Sequence, residues 1–303
     1  MTVIPQFRPG PGVGLDAIER VAPHAFDALT RSWAAVQQVV DPALLDAVAA
    51  RMNALLGRAP GAAAATAGFE AELALVDQFV DYVPDIDDEL LDPLRARYTK
   101  TGLRDLVDAL YVIDQTTRLR IAHRALHLSS PEAAAQRAAG APPDGRLPRP
   151  ARSNMVWHDT ILTTNPLGSF TRELVRLRCG SYHQCGICSS MRLVEDGARV
   201  VPPELEPVLA DHATAAIPAA QKAALRYAEA HMTDPLAIDD ALVAELARHF
   251  SSEQLVQLTL EVSSWNYQKV LVALGLDAPV VERSLVAMTI GDDGHCVSGS
   301  VLS

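Results

Sequence analysis

Two long stretches of this chain carry the same pattern at one constant offset. That shared register restricts the fold more than any other feature. Setting "DIDDELLDPLRARYTKTGLRDLVDALYVIDQTTRLRIA" against "AIDDALVAELARHFSSEQLVQLTLEVSSWNYQKVLVAL" pairs Ile86 with Ile238, Asp87 with Asp239, Asp88 with Asp240, Leu90 with Leu242 and Leu94 with Leu246. Leu103/Leu255, Leu106/Leu258 and Leu119/Leu271 extend the series without a gap. Leucine-rich helices match one another by composition, but unrelated ones need not keep their loop lengths in step. Each copy reads as a helix, an Asp-rich turn whose Asp87 or Asp239 suits an N-cap, a short helix, and a longer helix with apolar residues at three- and four-residue steps. No convincing period-two pattern occurs. Aromatic residues make up only 5% of the chain while Ala and Leu abound, which favours helices over sheets. The expected fold is all-α, built of two tandem related helical repeats.

The punctuation gives the boundaries. "AAGAPPDGRLPRPARS", residues 138–153, crowds Pro and Gly where the apolar periodicity stops, and reads as a linker. It separates an N-terminal repeat, 1–137, from a C-terminal repeat, 154–285; the tail 286–303 is expected to be loosely ordered or an interaction arm. Further upstream, "DPALLDAVAARMNALLGRAPG" and "SFTRELVRLRCGSYHQCGIC" place Asp46 opposite Glu173 and Arg51 opposite Arg178. On that register Arg58 and Gly61 stand where Cys185 and Cys188 stand, so the first repeat is degenerate and one thiol site remains per chain.

Charge and sulfur bound the function. A net charge of −11 argues against nucleic-acid and anionic-membrane partners. The N-terminus has no apolar run behind a basic start, and no stretch approaches ~18 uninterrupted apolar residues, so neither a secretory signal nor a membrane span is expected. Four cysteines in 303 residues are no disulfide framework. The expected compartment is a reducing cytoplasm, where a C-x-x-C pair reads as redox or metal chemistry.

Three of the four cysteines lie in "RCGSYHQCGICSSMR", residues 178–192. A helix through "SFTRELVRLR", capped near Ser169, is weakened at Gly180 and Ser181, and a second helix is expected from about Cys185 to Glu195. Cys185 and Cys188 then occupy the first turn of a helix, where unpaired N–H groups favour a thiolate. At i and i+3 their Cα atoms are roughly 5–6 Å apart, within disulfide reach. One thiolate can attack a peroxide or disulfide and the other can resolve the product. Glu173, on the preceding helix, is the candidate proton acceptor. A structural zinc site needs four ligands; Cys185, Cys188 and His183 supply three, with Cys179 the remaining candidate. Cys179 reads as a core residue and Cys296 as incidental. Trp265, Asn266 and Tyr267 line either a substrate pocket or a core.

The arrangement E-x11-C-x-x-C, formed by Glu173, Cys185 and Cys188, resembles the alkylhydroperoxidase D and carboxymuconolactone decarboxylase superfamily. "ELVRLR" before the cysteines and "ALRYAEAHMTDPLAIDDALVAELARHFSSEQLVQLTLEVSSWNYQKVLVALGL" after them are similar to that family's helices. The likeness covers about residues 165–276, the first half matching only as a degenerate copy. It implies an all-helical homo-oligomer, here a trimer or dimer of two-repeat chains, with no metal or organic cofactor. It also implies reduction of a small-molecule peroxide or disulfide, with Cys188 attacking, Cys185 resolving and an external dithiol regenerating the pair. Two positions depart from the family pattern: Arg192 stands where it has His, and Ile187 stands where peroxidase members often have His. Arginine holds a thiolate but relays no proton at neutral pH, which makes His183 the candidate substitute. The alternatives are a decarboxylase- or isomerase-like reaction on a small lactone or acid, and a non-catalytic redox-sensing or assembly protein.

Overall fold

Helix-forming runs punctuated by Asp, Pro and Gly dominate the computed structural model, which describes residues 14–57, 68–129, 147–209 and 212–302. The first part of the chain forms helices α1 (Asp16–Val21), α2 (Pro23–Val39), α3 (Pro42–Gly57), α4 (Glu70–Asp81), α5 (Asp88–Arg97) and α6 (Lys100–Ala125). The second forms α7 (Pro150–Leu162), α8 (Ser169–Tyr182), α9 (Gly186–Ser190), α10 (Ala219–Thr233), α11 (Asp240–His249), α12 (Ser252–Trp265) and α13 (Gln268–Ala273).

The matched segments fold alike, in the register of the sequence comparison. A 3₁₀ turn at Val83–Asp85 precedes α5, and one at Pro235–Ala237 precedes α11. Asp87 accepts the Leu90 N–H at 2.9 Å and Asp239 accepts the Leu242 N–H at 2.8 Å. Thr99 caps α6 and Ser251 caps α12, the latter in a reciprocal capping box with Gln254. Each such cap is worth about 1 kcal/mol. Arg51 pairs with Asp77 at 2.6 Å, tying α3 to α4; Arg178 pairs with Glu229 at 2.7 Å, tying α8 to α10. One difference stands out: α6 is continuous, whereas its counterpart breaks at Asn266–Tyr267 into α12 and α13. The unbroken second long helix expected from periodicity is therefore two helices. The Asn266 N–H already turns back to the carbonyls of Val262 and Ser264, closing α12.

The two halves share one apolar core, which runs from Leu29, Trp33, Leu75 and Phe79 through Leu106 and Trp157 to Tyr227, Leu246, Leu258 and Val262. Helix α6 packs on α12 and α13. Across this seam the Tyr111 hydroxyl donates to the Ser263 carbonyl at 2.9 Å, and Lys269 pairs with Asp114 at 2.8 Å.

The molecule is mostly helical, but not all-α. A four-stranded sheet in the order β2-β1-β3-β4 joins β1 (Met191–Glu195), β2 (Ala198–Arg199), β3 (Val286–Ile290) and β4 (Cys296–Val301). Strand β1 lies parallel to β3, with Met191 opposite Val286 and Leu193 opposite Met288; β4 is antiparallel to β3. This corrects two expectations. The helix expected to reach Glu195 stops at Ser190, and the tail expected to be loose is ordered as β3 and β4. Strands β1 and β3 each have a hairpin neighbour, β2 and β4, but the parallel pairing that joins the two hairpins into one sheet links residues far apart in the chain. A small apolar cluster of Met191, Leu193 and Met288 fixes the pairing. The linker also ends earlier than expected. Pro150 opens α7, a position where its missing N–H costs nothing. Residues 138–146 of that linker, and Arg58 and Gly61, lie outside the described residues. No described helix is long and apolar enough to cross a membrane.

Candidate active site

Helix α8 brings Glu173 and Arg176 onto one buried face, each 1% exposed. Arg176 grips the carboxylate with both arms of its fork, Nε to Oε2 at 2.6 Å and Nη2 to Oε1 at 2.7 Å. The same guanidinium donates to the Cys188 carbonyl at 3.3 Å and the Met191 carbonyl at 2.7 Å. Glu173 Oε1 also accepts the Leu193 N–H at 2.9 Å. The carboxylate thus faces Arg176 and the start of β1, which hold its oxygens.

Cys185 is the N-cap residue of α9 and Cys188 lies within its first turn. The Cys185 N–H bonds the Gly180 carbonyl at 3.0 Å, which folds α9 back on α8. A glycine is needed at 180, since a Cβ there would come within 2.7 Å of the Cys188 Cβ. The two thiols behave oppositely. The Cys188 thiol is lowered, because Cys185 donates a hydrogen bond to its sulfur and Arg176 adds positive charge; together they outweigh burial. The Cys185 thiol is pushed up by that same bond and by burial. Of the two, Cys188 is the sulfur whose surroundings favour the thiolate and Cys185 the one whose surroundings favour the thiol. Both are free thiols. Gln268, at the start of α13, donates its Nε2–H to the Cys188 Sγ at 2.9 Å.

Access is narrow. Cys185 is 0% and Cys188 8% exposed. The segment following α13 is anchored across α9, with the Asp277 carboxylate accepting the Gly186 N–H at 2.9 Å and Val280 N–H donating to Ser190 Oγ at 3.1 Å. A separate cleft of about 390 Å³, walled by residues such as His24, Thr164, Glu253 and Gln257, has no cysteine in its lining.

The other candidates go elsewhere. His183 is buried and bonds Asn266 Oδ1 through Nε2 at 2.9 Å, and burial lowers it to about 3. It is neutral and belongs to a polar network running through Asn266 to Gln115. Arg192 lies on β1 rather than on a helix. It pairs with Glu206 at 2.8 Å and donates to the Ser189 and Met191 carbonyls. Neither His183 nor Arg192 hydrogen-bonds a sulfur. Cys179 is core, its thiol raised to about 12 by burial. Cys296 is raised to about 12 by burial as well, but β4 carries it close enough to feel Arg176 and Glu173. Trp265 and Tyr267 are core residues, 5% exposed each; Tyr267 donates to Asp108 at 2.9 Å, and Trp265 lies beneath the Arg176 guanidinium. Among the described residues, no group of three or more His, Cys, Asp and Glu side chains gathers to hold a metal ion.

Two site residues escaped the sequence reading. Arg176 was legible as an i,i+3 partner of Glu173. Gln268 had no local signal, because only the chain's return brings it to Cys188.

No protein-family profile matches the chain. An uncharacterized protein of Mycobacterium tuberculosis strain CDC 1551 and one of strain H37Rv are each 37% identical to it over 139 residues, covering 44% of this chain and 47% of theirs. The chain thus spans about half the length of the curated relatives it matches. No solved structure matches it.

Proposed function

We propose that this chain is a thiol-dependent peroxidase of the alkylhydroperoxidase D-like kind. In this reading two such helical repeats are fused, and the first is degenerate. The observation that carries the proposal is the placement of the thiol pair: Cys185 caps α9, Cys188 lies in its first turn, the Arg176 guanidinium bonds the Cys188 carbonyl, and Gln268 Nε2 stands 2.9 Å from the Cys188 sulfur. Narrow access to the sulfurs favours a small hydroperoxide over a protein disulfide as oxidant.

The Cys188 thiolate attacks the terminal oxygen of the hydroperoxide, breaking the O–O bond and forming Cys188–SOH. The departing alkoxide takes the Cys185 proton and leaves as an alcohol. The Cys185 thiolate then displaces hydroxide, which takes a proton from solvent and leaves as water, and a Cys185–Cys188 disulfide remains. An external dithiol returns two electrons to the pair. Because Arg176 occupies the Glu173 carboxylate, Glu173 serves here to fix the guanidinium beside Cys188 rather than to take the thiol proton.

Intact mass before and after one equivalent of hydrogen peroxide tests this. The chain is expected to lose about 2 mass units on disulfide formation. Cys188→Ser abolishes the loss, and Cys185→Ser leaves a trappable sulfenic acid on Cys188. A decarboxylase-like activity that survives both substitutions counts against the proposal, as does a wild-type mass that peroxide does not change.

A further inference from the structure

Gln268 is only 3% exposed, and its amide is used at one end alone. Nε2 sits 2.9 Å from the Cys188 Sγ. In the thiol-peroxidase reading the sulfur attacks as a thiolate, which only accepts, and the N–H end of the amide is the end that faces it. Oε1 is buried and has no hydrogen-bond partner among the described residues. An amide oxygen in that state normally finds a donor, because leaving it unmade is costly. The orphaned oxygen therefore lies beside the one sulfur expected to gain a hydroxyl. Gly180 leaves α8 bare at this point; a Cβ there would stand 3.7 and 3.8 Å from the two amide atoms, as well as striking Cys188.

The break at Asn266–Tyr267 is what starts α13 at Gln268. In the first repeat the register-equivalent Thr116 lies mid-way along the unbroken α6, where its hydroxyl accepts the Trp33 Nε1–H at 2.9 Å. The second repeat thus differs from the first at both the cysteines and the residue that faces them.

We infer that Gln268 holds the Cys188 sulfur through Nε2 and, through Oε1, the hydroxyl that the sulfur receives. This rests on the thiol-peroxidase reading above. The terminal oxygen of a hydroperoxide carries its own hydrogen, and that O–H donates to Oε1 as the peroxide enters. Attack by Cys188 breaks the O–O bond and forms the S–O bond. The alkoxide leaves with the proton from Cys185, and the transferred O–H stays on Oε1 as sulfenic acid. One acceptor thereby aligns the attacked oxygen with the sulfur and then shields the intermediate until Cys185 displaces it.

Gln268→Met removes the amide while keeping the length of the side chain; Gln268→Glu keeps an acceptor and removes the donor. Iodoacetamide labelling of Cys188 against pH, read by peptide mass, is expected to shift its midpoint up by about one pH unit in both variants, the change expected for losing one hydrogen bond to a charged group. In Gln268→Met, oxidation of Cys188 by hydrogen peroxide, measured above the labelling midpoint so that thiolate fraction is not limiting, falls at least about tenfold. Gln268→Glu retains more of that rate than Gln268→Met at the same thiolate fraction. Unchanged midpoints and peroxide rates within about twofold of wild type would overturn the Gln268 inference and leave the peroxidase reading standing, provided wild type still forms the Cys185–Cys188 disulfide. A wild-type chain that forms no disulfide with peroxide overturns both. A merely structural role for Gln268 would lower the melting temperature without moving the labelling midpoint, which also counts against the inference.

Discussion

At the scale of single residues, the site turns on how one guanidinium is shared. Arg176 neutralises Glu173, braces the α9–β1 backbone and lends charge to Cys188. Removing one partner of a buried ion pair leaves the other uncompensated in a poorly solvated place. Arg176→Met is therefore expected to cost about 3–5 kcal/mol in denaturant unfolding and to raise the pH at which Cys188 becomes reactive to alkylation. Arg176→Lys keeps the charge and loses the fork, and is expected to fall between the two. His183 shows the opposite outcome: the residue type suits proton transfer, but one ring nitrogen bonds Asn266 and burial keeps the ring neutral.

At the scale of elements, the site exists because α9 can lie against α8. Gly180 makes that approach possible. Gly180→Ala is expected to destabilise the protein by about 1–3 kcal/mol through overpacking and to slow disulfide formation, since Cys188 itself must move. Gly57 is the control: it ends α3, and among the described residues nothing lies within 4 Å of where an alanine methyl would stand, so Gly57→Ala is expected to be neutral or to stabilise by up to about 1 kcal/mol. Denaturant midpoints of the two variants settle the comparison. Strand β1 does for Glu173 what a longer α9 would not. Its extended backbone turns the Leu193 N–H toward the carboxylate, whereas in a helix that N–H would be spent within the helix.

At the scale of the whole molecule, three buried histidines make the fold sensitive to acid. His123 bonds Thr259 across the seam between the two halves, while within the second half His231 lies between Tyr227 and Ser263 and His183 bonds Asn266. Burial lowers the three to about 4, 3 and 3. Their folded values lie below the ordinary 6.5, so between those limits the unfolded chain binds protons that the folded chain refuses. Stability is fully present above about pH 6.5 and falls as the pH drops toward 4. The loss is roughly 2 kcal/mol per histidine by pH 5. Thermal melts from pH 7.5 to 4.5 are expected to show a steady decline below pH 6.5. A melting temperature that holds level to pH 5 would mean the three rings are not kept neutral by the fold.

Local chemistry fixed much of this protein in advance. Helix periodicity, the caps at Asp87, Asp239 and Ser251, and the spacing of Glu173, Cys185 and Cys188 are short-range features, so the residues alone disclose most of the helices and the thiol pair. The matched register also disclosed the paired turns and short helices of the two halves. Only the tertiary structure decided the rest, since it depends on contacts between residues distant in sequence. Strands β1 and β3, distant in sequence, are joined side by side in one sheet. The Asn266–Tyr267 break delivers Gln268 to a sulfur eighty positions back along the chain. Arg192 is drawn to Glu206 and His183 to Asn266. The pull on the two thiols in opposite directions likewise comes from a neighbouring thiol and a buried arginine, through electric fields that no spacing rule encodes.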